Sequence, residues 1–429
     1  MELRSRDLVA TPTVARRGSS RRLSWDVIRV LAVAAVVFQH VAFQGPILHS
    51  ELGSPLGTHP LQIGASTLLV ISAYFICVTI RKGSTPLWWW KKIARLLPPY
   101  LAAVLFTYLV LLLLKPEGWG QPTLRDLVGN LSLLSTWMHT NLIDGSYWTL
   151  PLQLLAFTAA ALLWPRGLGR GWKITALLWT LVLLPIYLQW GGKVDNAAPW
   201  VKDLWNGFGI HRAHLFAVGI AIWLWSQRRM NSVHLGLLLA AAVWAQDVHT
   251  ADLPSALGVG VMIGLILLAT RGPDWSMFFP VRTQVEFLAK ISFCVYLLNQ
   301  EIGYVVSYQL SLLGIDQFTR SLLAVGTVVV LSWLLTVYVE QPLYTWMTTT
   351  AAARVARVWQ ELDVRLIFTK HHMSTSRKRR PARAAQAAIA PRPVRRQLTS
   401  QHTPVSGAWE RHGDLVPTGR VMLARSAAP

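Results

Sequence analysis

Asp26, Arg29 and His40 interrupt one apolar stretch, residues 24–43, that is otherwise rich in valine and alanine. Roughly twenty apolar residues read as a membrane-spanning helix, in which an ionisable side chain costs several kcal/mol and persists where it has a task. At about 1.5 Å and 100° per residue, the eleven steps from Arg29 to His40 cover roughly 16 Å and return to nearly the same face. The two side chains are therefore expected to line one cavity at two depths. Asp26, three residues before Arg29, can pair with it across one turn. Blander readings compete, since an arginine near a helix end snorkels to the headgroups and a histidine can hydrogen-bond a neighbouring helix. The chemical reading is a base: an imidazole with a reference pKa of about 6.5 can take the proton of an attacking alcohol.

A second basic cluster, Lys91-Lys92-Ile-Ala-Arg95-Leu-Leu-Pro98-Pro99-Tyr100, would suit a polyanion. Lys92 and Arg95 are three apart and share a helix face, while the two prolines set or kink the first turn. Any membrane protein can carry such a cluster on its cytoplasmic side. His211 and His214 are also three apart, but no third ligand follows at local spacing, so no metal site is expected.

The elements that must hold these groups are membrane helices. Of 429 residues, 53% are hydrophobic and only 14% charged, too apolar for an ordinary soluble domain. The fold class expected is all-α, a polytopic bundle of about ten spans near 24–43, 61–80, 96–114, 147–164, 174–190, 209–226, 233–247, 254–270, 288–309 and 320–345. Basic residues recur after every second span, at Arg21 and Arg22, at Arg81, Lys82, Lys91, Lys92 and Arg95, at Arg166, Arg170 and Lys173, at Arg228 and Arg229, and at Arg271 and Arg282. By the positive-inside rule both termini are expected in the cytoplasm. This asymmetry accounts for much of the +21 net charge, and no nucleic acid is expected as a partner. Cys77 and Cys294 both fall in apolar runs, which argues against a disulfide framework. Residues 1–22 lack an apolar core and are expected as a basic cytoplasmic tail without a cleaved signal. Residues 127–143 are expected as an interfacial or re-entrant helix capping the cavity, or as a plain surface helix. The transmembrane domain is expected to span 23–346. From 347 the chain is expected to be a basic, disordered tail drawn to anionic lipids, opening with an amphipathic helix over 351–367.

Several stretches taken together resemble the membrane acyltransferase-3 family. Arg29-x10-His40 is similar to its first helix, and Lys92-x-x-Arg95 with Pro98 and Tyr100 to its paired-arginine motif, with lysine in the first place. Lysine keeps the charge and loses the bidentate fork. Leu69-Val-Ile-Ser72-Ala73-Tyr-Phe75 resembles the second-span segment. Trp148-Thr-Leu-Pro-Leu-Gln153 resembles Trp-Ser-Leu-x-x-Glu with glutamine for the acid. Arg212-Ala-His-Leu-Phe216-Ala-Val-Gly219 is similar to an Arg-x-x-x-Phe-x-x-Gly stretch. Ser292-Phe-Cys-Val-Tyr296-Leu-Leu-Asn299 is similar to Ser-x-x-x-Tyr-Leu-x-His with asparagine for histidine, and Glu340-Gln-Pro342 to the closing Glu-x-Pro.

The resemblance implies an integral membrane O-acyltransferase of the cell (inner) membrane. It implies acyl-CoA, most often acetyl-CoA, as co-substrate, no cofactor, and an envelope or exported glycan or lipid as acceptor. On this reading His40 is the base and Arg29, Lys92 and Arg95 bind the donor's phosphates. Ser72, Tyr296 and Asn299 are polar groups near the chemistry, Gln153 marks the missing acid, and Asp26 and Glu340 hold basic residues in place. Two other readings stand beside it: a transporter or flippase of an envelope precursor, since buried Arg and His also mark substrate pathways, and a non-catalytic family member, suggested by Gln153 and Asn299.

Overall fold

The computed structural model describes residues 22–57, 61–81, 84–165 and 171–351. The N-terminal tail before Arg22, Lys82, Arg166, Arg170 and the C-terminal tail after 351, with its expected helix over 351–367, lie outside these residues. The chain divides after Glu361, and every described residue belongs to the first unit.

Among the described residues there is helix and no strand. Thirteen helices matter for the site: α1 (Leu23–Phe38), α2 (Gly64–Thr79), α3 (Thr85–Leu114), α4 (Leu124–Leu131), α5 (Thr149–Leu163), α6 (Trp172–Gln189), α7 (Pro199–Gly207), α8 (Ala213–Ser226), α9 (Ser232–Thr250), α10 (Leu253–Arg271), α11 (Arg282–Leu298), α12 (Glu301–Ser311) and α13 (Gln317–Leu335). Among the described residues six helical segments are long and apolar enough to cross a membrane, and a seventh is added if α7 and the helix ending at Ser226, bent by 42°, count as one span. The ten expected runs are all helical but do not all meet that measure. α2 has only 16 residues. The expected span over 288–309 is two helices, interrupted at Asn299 and Gln300 between α11 and α12.

α1 stands between two apolar cores. Its Trp25, Ile28 and Ala32 belong to one core with residues of α2, α6, α8, α9 and α10, whereas Val33 and Val36 belong to another with residues of α3, α11, α12 and α13. Close approach on both sides of α2 fixes this arrangement. A Cβ at Gly64 would collide with the Ala32 carbonyl oxygen, and one at Gly219 with the Val70 carbonyl oxygen. The start of α1 is tied down by a distant acid: the Leu23 and Ser24 N–H groups donate to the Asp274 carboxylate at 2.9 and 2.8 Å. These are two of the donors a helix start leaves unpaired. Burial pushes the Asp274 carboxyl up, but the donors from Ser24 and Leu23 outweigh it and hold the group below its ordinary value.

The expected helix over 127–143 is shorter than the apolar pattern suggests. α4 starts on a capping box between Thr123 and Asp126 and stops at Leu131, after which Leu133 and His139 adopt positive φ. Buried Asn130 then takes over the backbone bonding: its Nδ2 donates to the Asp126 and Asn141 carbonyls, and its own carbonyl accepts from the Tyr100 hydroxyl at 2.6 Å. The connection is thereby bound to α3.

Candidate active site

His40 lies just past α1, in a π-helical stretch over Gln39–Gln44. The wider turn changes the direction of side chains that follow it, a device common at functional sites. The His40 side chain is buried, and its Nδ1 is 2.6 Å from Asn299 Oδ1. Asn299 sits in the α11–α12 break, and its Nδ2 donates to the Tyr296 carbonyl at 2.7 Å. That bond orients the amide with its oxygen toward the imidazole. An amide oxygen only accepts, so Nδ1 carries the ring proton and Nε2 is left with the lone pair. The arrangement yields one tautomer, the one in which Nε2 can act as a base.

Further bonds fix the break itself. The Tyr296 hydroxyl donates to the Ser146 carbonyl at 2.8 Å and accepts from Thr149 Oγ1 at 2.9 Å. Fully buried Asp144 accepts from the Ser146 N–H at 2.8 Å and from the Glu301 N–H, the first of α12, at 3.0 Å. Burial pushes the Asp144 carboxyl up to about 6, against the pull of the Ser146 and Glu301 donors.

The single cavity expected from Arg29 and His40 is instead three adjoining ones. The His40 cavity, about 470 Å³, has polar walls that include Gln39, Gln62, Ser66, Arg212 and Gln300. A basic cavity of about 630 Å³ is walled by Arg22, Asp26, Arg29, Lys92, Arg95, Lys290 and Glu340. Between them is a waist of about 170 Å³ that shares Arg29, Lys92, Arg95 and Lys290 with the basic cavity and Tyr296 with the His40 cavity. Ser72 and Gln153 also wall the waist. Every residue singled out in the sequence for the site thus touches one of these cavities or, for Asn299, holds His40.

The basic end is organised by ion pairs and rings. Arg29 Nη1 is 3.8 Å from Asp26 Oδ1, and Arg95 Nε is 3.8 Å from Glu340 Oε1. Glu340 Oε2 also accepts from Cys294 Sγ at 3.5 Å. The Lys92 ammonium stands 5.4 Å from the Phe157 ring centre and 5.7 Å from that of Trp88. A lysine reaches this place along apolar walls that its methylene stem can cover.

Sequence reading gave no role to three residues that the fold brings in. Lys290 is a lone cation at the start of an apolar run and reads as a helix-end charge. Arg212 was visible within a motif, yet only the structure shows its guanidinium 3.5 Å from the Trp148 ring centre in the His40 cavity. Asp144 carries no local signal at all. The histidines at the start of α8 go elsewhere: the His211 ring lies tilted against that of His249 at 4.7 Å between ring centres, and His214 Nε2 bonds Gln246 at 3.0 Å. Among the described residues no group of His, Cys, Asp or Glu has the geometry to hold a metal.

A buried imidazole with one lone pair directed by its partner, joined through a narrow neck to a polycationic cavity, can deprotonate a hydroxyl beside a bound polyanion. Residues 22–337 match the acyltransferase domain model of the acyltransferase-3 family. No curated protein and no solved structure matches the chain.

Proposed function

The chain belongs to the acyltransferase-3 family and is an integral membrane acyltransferase, and we propose that it moves an acyl group from cytoplasmic acyl-CoA to a hydroxyl of an envelope or exported glycan or lipid. The observation that carries this reading is the His40–Asn299 pair, with its available Nε2, in a cavity that adjoins the basic one through the waist. His40 Nε2 takes the proton of the acceptor hydroxyl as its oxygen attacks the thioester carbonyl. The tetrahedral intermediate collapses, the C–S bond breaks, and the proton passes to the departing thiolate. Products are an ester and free coenzyme A.

Arg29, Lys92, Arg95 and Lys290 serve the donor's phosphates, where charge-assisted bonds are the strong ones. Ser72 and Gln153 in the waist are the donors we assign to the developing oxyanion. A glutamine N–H can supply what an ionised acid cannot. Asp26 and Glu340 hold the cations in position. No cofactor enters this scheme. On this orientation the basic cavity and both termini face the cytoplasm of the inner membrane, and the basic C-terminal tail meets anionic lipids.

The non-catalytic reading drew on Gln153 and Asn299. Asn299 is bonded to the candidate base, which is a working position, so that support weakens. The test is release of coenzyme A from labelled acyl-CoA by membranes holding the wild type, His40→Ala or Arg29→Ala. Release that needs His40, with donor use weakened by Arg29→Ala, supports the assignment. Three equal activities across several donors and envelope extracts reject it in favour of a transporter or an inactive homologue.

A further inference from the structure

Two apolar crevices run along the bundle, and they differ in what they adjoin. One, about 280 Å³ and walled by residues such as Ile76, Ala159, Leu181 and Phe216, shares no wall residue with the waist or either polar cavity. It is a seam between helices with no connection to the site. The other, about 550 Å³, lies between α1 and α13 and has Val33 and Ser292 in its wall, and both of these also wall the waist. It has no wall residue in common with the His40 cavity or the basic cavity. The larger groove therefore adjoins the waist at one place, the shared wall of Val33 and Ser292, which is a window only when those side chains part.

We propose that this groove takes the acyl chain of the donor, so that the group transferred is a medium or long fatty acyl chain in place of the acetyl group expected from the sequence. The inference rests on the acyl-transfer reading above. The wall from α1 and the π-helical turn after it runs through Val30, Val33, Ala34, Val37 and Val41, eleven steps or roughly 16 Å. No charged side chain is among its walls. Gln317, at the end away from the window, exchanges hydrogen bonds with the Ser54 backbone, donating to the carbonyl at 2.8 Å and accepting from the N–H at 3.3 Å. Walls of this kind offer nothing to a phospholipid headgroup. They suit a chain whose polar end is held elsewhere, and a thioester in the waist is such an end. The waist, about 170 Å³, leaves little room for a folded chain beside the donor's arm, so a long chain must leave sideways. The window at Val33 and Ser292 is the exit the walls provide. Each methylene moved from water into such a groove strengthens binding by about fourfold.

The experiment uses the full chain in lipid nanodiscs and follows coenzyme A release from acetyl-, butyryl-, octanoyl- and palmitoyl-CoA. For the wild type, KM is expected to fall as the chain lengthens. Ala34, exposed on the open side of the groove, and Val325, on the α13 wall, are each replaced by phenylalanine. Either change is expected to raise the ratio of octanoyl to acetyl KM at least about tenfold, whereas Ala159→Phe in the separate crevice leaves the ratio unaltered. The groove is not the chain's seat if the wild type turns over acetyl-CoA alone, or if filling the groove leaves the ratio unchanged, in which case a bilayer lipid is its occupant. Failure to release coenzyme A from any donor would reject the acyl-transfer reading itself, and the groove assignment with it.

Discussion

The His40 end of the passage is built from buried hydrogen bonds that fix one geometry, whereas the Arg29 end is built from charge. At the first, an imidazole, an amide, a phenol and backbone carbonyls are mutually satisfied, with Asn299 and Tyr296 almost wholly buried. At the second, five basic side chains face two acidic ones around one cavity, and the Arg95 side chain is 58% exposed. The contrast teaches a division of demands. Proton transfer needs one tautomer at one place, which a buried network specifies. A polyanion that must bind and leave at every turnover needs attraction without a rigid cage, which solvated cations supply. Substitutions at the two ends should accordingly separate into losses of kcat and losses of KM.

The largest effect is expected at His40. His40→Ala should lower kcat by about 10²- to 10⁴-fold with little change in donor KM, and its thermal unfolding in detergent should stay close to that of the wild type. A comparable rise in KM would mean that His40 belongs to binding. Next comes Asn299, which acts through His40 and does not touch substrate. Asn299→Ala should cost about 10- to 100-fold in kcat at constant KM, because the ring loses the bond that holds its orientation, with a further factor of about two from the tautomer that is then free to exchange. Asn299→His, the residue that the family motif carries, should recover part of the loss, a rescue that a merely structural role does not predict.

The two ends also differed in how much the sequence disclosed. Arg29, Lys92 and Arg95 stand out because charge in or beside an apolar run is conspicuous, and helical spacing puts them on common faces. His40 is conspicuous for the same reason. Its partner was not assignable, since a bond across 259 positions in the chain depends on where α11 breaks, and no periodicity marks a break inside an apolar run. Asp144 shows the same limit, because its value lies in two backbone N–H groups that only the fold brings to it. The helical class was legible from composition. The lengths of the spans were less so: 61–80 reads as apolar throughout, but the helix begins only at Gly64, where α2 approaches α1 too closely for a side chain.

At the basic end the expected effects are smaller and appear in KM. Lys92→Ala and Arg95→Ala should each raise donor KM by about tenfold, in line with the loss of one charge-assisted bond worth roughly 1.5–3 kcal/mol. The increase should shrink at high salt. Lys92→Arg should lower KM by about two- to fivefold, because a guanidinium can hold two phosphate oxygens at once. An unchanged KM in all three, at low salt, would remove the donor from this cavity.

The smallest effect tests what anchors the charged end without touching substrate. Asp274 caps α1 from outside that helix, so Asp274→Ala should lower unfolding stability by about 1 kcal/mol, the ordinary worth of a helix cap, and leave kcat at the distant His40 end unchanged. The pH dependence follows from the sign of its shift. A carboxylate held below its ordinary value stabilises the fold fully above that value, about 3.9, and the contribution is lost as pH falls through the lowered folded value. Wild type and variant should therefore differ by a constant amount between pH 6 and 8 and converge below about pH 4. A variant that loses turnover at unchanged stability would show instead that the entry of α1 sets the position of His40 along its whole length, and the two ends would then have to be treated as one mechanical unit.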